Sequence, residues 1–166
     1  GDHRDLHFFP TRRSSDLLYD RPPLRLARYG DSEETPLYPF GHGLGYVPIR
    51  YGAVSHASIV RAGEPLEIAV EVENRGDIVT DHVVLVFIRD AFSSVTTPER
   101  RLCAFERVRG LEPGEERKVT MVVEPASMAL VDSAGRWVIE PGRFDLMVES
   151  IVTSFEVVDA DVSDAG

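Results

Sequence analysis

Residues 66–77 read Leu66-Glu67-Ile68-Ala69-Val70-Glu71-Val72-Glu73-Asn74-Arg75-Gly76-Asp77. Leu66, Ile68, Val70 and Val72 alternate with Glu67, Ala69, Glu71 and Glu73. Period two is the spacing of a strand with one buried face and one wet face. The run ends at Asn74-Arg75-Gly76-Asp77, where Asn and Gly are expected to supply the special dihedrals of a turn. Glu67, Glu71 and Glu73 share the wet face and read as solvated charge that also protects an edge from stray pairing.

The pattern repeats toward the C-terminus. Residues 82–89 form the next expected strand, but alternation fails because Val83, Val84, Leu85, Val86, Phe87 and Ile88 are all apolar. A strand covered on both faces reads this way. The second face is closed either by loops of this domain or by a neighbouring domain. In Arg101–Arg109 the apolar Leu102, Phe105 and Val108 recur every third residue, so a bulged or irregular edge strand is expected. Glu112-Pro113-Gly114-Glu115 reads as a turn. Val119, Met121 and Val123 alternate, one helical turn is expected at Ala126–Leu130, and Trp137-Val138-Ile139 reads as a short extended piece. Pro141-Gly142 turns the chain into two final rows, Phe144, Leu146, Val148 and then Ile151, Thr153, Phe155, Val157.

About seven short strands with regular turn signals and no long helical pattern predict an all-β, immunoglobulin-like sandwich. The chain has 166 residues, room for one domain with some residues left over. Its 18 basic and 28 acidic residues give a net charge of −10. That charge argues against nucleic acid and anionic membranes as partners, since both need a basic footprint. No stretch approaches the roughly 18 consecutive apolar residues of a membrane span. The single cysteine, Cys103, excludes an intramolecular disulfide and reads as a small apolar strand residue.

Ahead of the strands, residues 36–46 read Pro-Leu-Tyr-Pro-Phe-Gly-His-Gly-Leu-Gly-Tyr. Two prolines and three glycines exclude a regular helix or strand. Leu37, Tyr38, Phe40, Leu44 and Tyr46 are too apolar for a flexible linker. A compact ring-rich segment of this kind is expected to pack on a larger neighbour. These five residues, with Leu85 and Phe87 on the greasy second face, are the candidate interdomain docking residues.

The same segment carries a family resemblance. Pro36–Leu44 and Tyr46 resemble the Pro-Leu-Tyr-Pro-Phe-Gly-Tyr/His-Gly-Leu-Ser-Tyr marker of family 3 glycoside hydrolases, with Gly45 in place of Ser. Val70–Gly76 is similar to the family's Val-x-Val-x-Asn-x-Gly, and His82–Ile88 to its Glu-Val-Val-Gln-Leu-Tyr-Val. Pro98–Phe105, Leu111–Glu115 and Glu140–Phe144 resemble three later motifs in the same order. The resemblance covers roughly residues 24 to 158. It implies a fibronectin type III-like sandwich that follows the catalytic part of a β-glucosidase- or β-xylosidase-like enzyme acting on terminal β-linked glucose or xylose.

It further implies a division of the chain. Residues 1–17 match nothing in the family and read as translated sequencing-adapter sequence, with a basic arm at Arg12-Arg13 as the alternative. Residues 18–52 are the irregular link from the catalytic region, 53–158 the sandwich, and 159–166 a frayed tail. The chain is then expected to be the end of a longer protein whose catalytic domains are its partners, with a homodimer contact as a second use of the same surface. The sequence names no compartment.

Retaining glycosidases use two carboxylates about 5–5.5 Å apart. In the resembling family both lie upstream of the marker, so no catalytic residue is assigned here and Ser15-Asp16 is given no role. No Glu-x-x-His spacing occurs, and the one His-x-x-x-His spacing, His3 to His7, falls in the segment read as adapter sequence, so no metal is expected. Gly41, Gly43 and Gly45 lack the basic residue and helix start of a phosphate loop, so no cofactor is expected. Trp137 reads as a lid on the sandwich edge, with sugar stacking as the alternative. A free-standing carbohydrate-binding or adhesion-type module is the rival to the accessory-domain reading.

Overall fold

A computed structural model describes residues 42–95, 97–98 and 100–160. The elements run β1 (Ile49–His56), β2 (Ile59–Arg61), β3 (Leu66–Asn74), β4 (Thr80–Asp90), β5 (Arg101–Leu111) and β6 (Glu116–Val123). They continue through one helical turn, α1 (Pro125–Met128), to β7 (Leu130–Val131), β8 (Trp137–Val138), β9 (Gly142–Val148) and β10 (Ile151–Val158). Two sheets face each other, a three-stranded one in the order β1-β3-β6 and a five-stranded one in the order β2-β10-β9-β4-β5. The two-residue strands β7 and β8 pair apart from both. The expected all-β sandwich is what the chain forms.

Its core is the inner row of each sheet. Leu66, Ile68, Val70 and Val72 from β3 meet Val84, Val86 and Ile88 from β4, and Phe144, Leu146 and Val148 from β9. Phe155 and Val157 of β10 close the row, and the rings of Phe144 and Phe155 stack at 5.5 Å. Burial of such side chains, each worth roughly 1.5–3 kcal/mol, is what offsets the cost of ordering the chain.

The strand count exceeds the seven read from sequence because β1, β2 and β7 are weakly marked. β1 is interrupted by Gly52 and carries a register shift between Tyr51 and Val54. β2 is three residues long and is held parallel to β10 through Val60 and Val157. Pairing therefore begins at Ile49. The helical turn falls at Pro125–Met128, and Ala129 is already extended. The irregular edge expected in 101–109 is present, with β5 at the rim of its sheet and register shifts against β4 at Thr80/His82 and Val86/Phe87.

Asn74 joins two distant stretches. Its Nδ2 donates to the carbonyls of Ile78 and Leu111 at 2.8 and 2.9 Å, and its Oδ1 accepts from Gly76 N–H at 2.8 Å. Its backbone bonds Glu115 and Gly114, so the β3–β4 turn is tied to the β5–β6 turn. Neither Asn74 nor Gly76 has a positive φ. The turn needs them for other reasons than dihedrals: Asn74 satisfies buried backbone groups, and Gly76 leaves room for Val47. A Cβ at position 76 would stand 2.6 Å from Val47 Cβ and Cγ1.

Candidate docking face

Strand geometry sends Val84, Val86 and Ile88 inward and Val83, Leu85, Phe87 and Arg89 outward. The outer side of the five-stranded sheet is therefore built from β4 and whatever its neighbours align with it. Register places Phe105 opposite Leu85 and Leu102 opposite Phe87 on β5. On the other flank Met147 of β9 stands opposite Phe87, and Val152 of β10 opposite Met147. An apolar row, Leu102–Phe87–Met147–Val152, thus crosses four strands, with Phe105–Leu85 beside it.

The sequence-predicted residues distribute unevenly over this surface. Leu37, Tyr38 and Phe40 lie outside the described residues. Leu44 and Tyr46 stand 94% and 95% exposed ahead of β1. Leu44 lines an open trough together with Val47, Ile49, His82, Leu85 and Phe87. Phe87 is only 7% exposed, with the Arg100 guanidinium 5.1 Å from its ring centroid, so it forms the floor of the face. Leu85 is half-buried, and Phe105 and Val152 are each 66% exposed. Neither Phe105 nor Val152 is among the residues chosen from sequence. Local periodicity reveals which way a side chain points along its own strand, whereas their membership of the face depends on cross-strand register.

A polar row borders the apolar one. Asp145 of β9 faces Arg89 of β4, and its Oδ2 accepts from Arg89 Nη2 at 2.6 Å. Arg143 Nη2 lies 3.2 Å from Asp145 Oδ1, which has no hydrogen-bond partner of good geometry. The Asp145 side chain is buried, while both arginines reach into solvent. A buried carboxylate needs paired charge, and here two guanidiniums share one acid.

At the end of the trough Tyr51 Oη and His82 Nε2 are 2.6 Å apart across the two sheets. Burial, with a smaller contribution from Glu149, pushes the Tyr51 phenol up to about 12, and burial lowers the pKa of His82. Either group can be the donor, according to the imidazole tautomer, and the bond joins β1 to β4. Cys103 is half-covered on the inner side of β5, its thiol donates to the Val86 carbonyl, and burial pushes its pKa up to about 12. A thiol of that kind is a packing group. Trp137, 72% exposed on β8, does not close the sandwich edge. Among the described residues no three His, Cys, Asp or Glu side chains are grouped to hold a metal ion.

Residues 82–151 match the fibronectin type III-like domain family. The chain is 34% identical over 124 residues to the thermostable β-glucosidase B of Acetivibrio thermocellus, covering 73% of this chain and 16% of that protein. It is 34% identical over 123 residues to a β-xylosidase of Formosa agariphila, covering 73% of this chain and 17% of that protein. Among solved structures it superposes on a β-glucosidase from Erythrobacter marinus with a TM-score of 0.76 at 33% identity, over 85% of this chain and 19% of that one. A β-glucosidase from Listeria innocua in complex with glucose gives 0.73 at 30% identity, over 79% and 19%. The chain spans about a sixth of the length of the curated relatives it matches, and in them this region is part of a much longer polypeptide. Over residues 82–151 the chain therefore belongs to the fibronectin type III-like domain family, in the form carried by β-glucosidases and β-xylosidases of family 3 of the glycoside hydrolases.

Proposed function

We propose that this chain is a non-catalytic accessory domain that docks on the catalytic part of a family 3 glycoside hydrolase acting on terminal β-linked glucose or xylose. The observation that carries this reading is the asymmetry of coverage: the match takes in 73% of this chain and only 16–17% of the relatives. The exposed Leu44 and Tyr46, with Leu85 over the Phe87 floor, supply the apolar contact. Leu37, Tyr38 and Phe40 extend the same docking set in sequence, and the residues between 18 and the start of β1 at Ile49 are the link between the two parts. The partner is the catalytic part of the same polypeptide. Hydrolysis needs two carboxylates straddling the bond, and this reading assigns them to that partner.

Two assays test the proposal. The purified chain with a chromogenic β-glucoside releases nothing above buffer, and turnover would overturn the non-catalytic assignment. The catalytic part of the Acetivibrio enzyme, made without its matched segment, binds the chain. No complex, combined with specific binding of the chain on a glycan array, would favour a free-standing carbohydrate-binding module instead.

A further inference from the structure

We infer that the outer face of the five-stranded sheet docks an apolar surface edged by a carboxylate, with Arg89 and Arg143 receiving that acid. The inference rests on the docking role just proposed and adds the chemistry of the partner's surface.

Three observations carry it. First, the apolar row is continuous across four strands, from Leu102 through Phe87 and Met147 to Val152, and Phe105 stands beside it at 66% exposure. Isolated exposed apolar residues need no explanation, but a contiguous row does. Second, the polar row that borders it gathers two guanidiniums on one buried acid. Arg89 and Arg143 both converge on Asp145, and Glu156 stands across from Arg143 on β10. Third, each guanidinium carries five N–H donors. Arg89 directs one of them to Asp145, and Arg143 meets the same acid through one nitrogen. The remaining donors form a pre-positioned fork that matches carboxylate geometry.

Asp145 is what makes the pair a site. Buried beneath both side chains, it holds two like charges close together at a fixed place beside the apolar row. Without it the two arginines would repel and spread. An incoming acid completes a four-charge arrangement whose burial excludes water at the rim of an apolar contact, the setting in which charge pairing gives specificity.

The test uses the 166-residue chain and a pair of probes. 8-Anilinonaphthalene-1-sulfonate has an apolar ring body and an anionic group, and N-phenyl-1-naphthylamine has the ring body alone. The wild-type chain is expected to bind the anionic probe at least tenfold more tightly than the triple variant Arg89→Gln, Arg143→Gln, Asp145→Asn, which removes the buried acid with its partners and so avoids an unpaired charge. The neutral probe should bind both proteins equally, and Phe105→Ser should weaken both probes. The gain for the anionic probe should fall as salt rises. Equal binding of the anionic probe by wild type and triple variant, with circular dichroism showing both folded, overturns the inference. In the complex with the catalytic part, a triple variant that binds as tightly as wild type overturns the inference and leaves the docking role standing. A wild-type chain that does not bind at all removes the docking role itself.

Discussion

Replacing Asn74 with alanine is expected to cost more than any single apolar truncation at the rim of the sandwich. Asn74 is fully buried and its side chain makes three hydrogen bonds, to Ile78 and Leu111 carbonyls and from Gly76 N–H. A net hydrogen bond contributes about 1 kcal/mol, and a buried group left unpaired costs about 1–3 kcal/mol. The Ile78 and Gly76 groups are partly buried and regain water, so each counts at the lower value. The Leu111 carbonyl sits in the interior and counts at the upper one. The sum is about 3–5 kcal/mol, a large share of the roughly 5–15 kcal/mol by which domains are stable. In thermal terms it is a drop of about 12–20 °C, taking about 4 °C per kcal/mol for a domain of this size. Urea unfolding followed by far-ultraviolet circular dichroism measures it. Asn74→Asp is the control, since it keeps an acceptor for Gly76 N–H but turns a carboxylate on two carbonyls, and it should be at least as damaging. A loss below about 1 kcal/mol for Asn74→Ala would refute the view that this side chain ties the β3–β4 and β5–β6 turns together.

Gly76→Ala should destabilise by about 1–3 kcal/mol through overpacking on Val47, and Val47→Ala in the same protein should recover part of the loss in a double-mutant cycle. Glu149 holds φ at +53° in the β9–β10 turn, so Glu149→Gly should raise the urea midpoint by the equivalent of about 0.5–1 kcal/mol. Tyr51 and Cys103 both have folded-state pKa values of about 12, above their ordinary 10.0 and 9.0. The folded state therefore retains protons that the unfolded state releases. Stability should hold below about pH 9 and decline as pH rises toward 12, with Tyr51→Phe and Cys103→Ser each flattening the fall. At pH 8 a thiol reagent should label Cys103 slowly in the native chain and fast in urea.

How much of this was readable in advance follows from the physics of each element. The period-two rows in β3, β9 and β10 announce themselves, because one buried face imposes alternation on the residues. β4 hides its alternation in a fully apolar run, yet Val84 and Val86 are fully enclosed while Val83 lies open. β1 and β2 escape because a glycine, a register shift and shortness erase the pattern. The motif at Val70–Gly76 and the one at Leu111–Glu115 are separate in sequence, and only the fold reveals that Asn74 fastens one to the other. The docking face divides the same way. Leu85 and Phe87 stand out as greasy substitutions on one strand. Phe105, Met147, Val152 and the Arg89–Asp145–Arg143 cluster come together only through cross-strand register.

On the docking proposal the outer face of the five-stranded sheet is covered by a larger partner. Hydroxyl-radical footprinting tests it most directly, comparing the chain alone with the chain fused in place of the matched segment of the Acetivibrio β-glucosidase. Phe105, Met147 and Tyr46 should be labelled readily in the isolated chain and at least fivefold less in the fusion, while Trp137 is labelled equally in both. Unchanged labelling of Phe105 and Met147 in a folded, active fusion would contradict it.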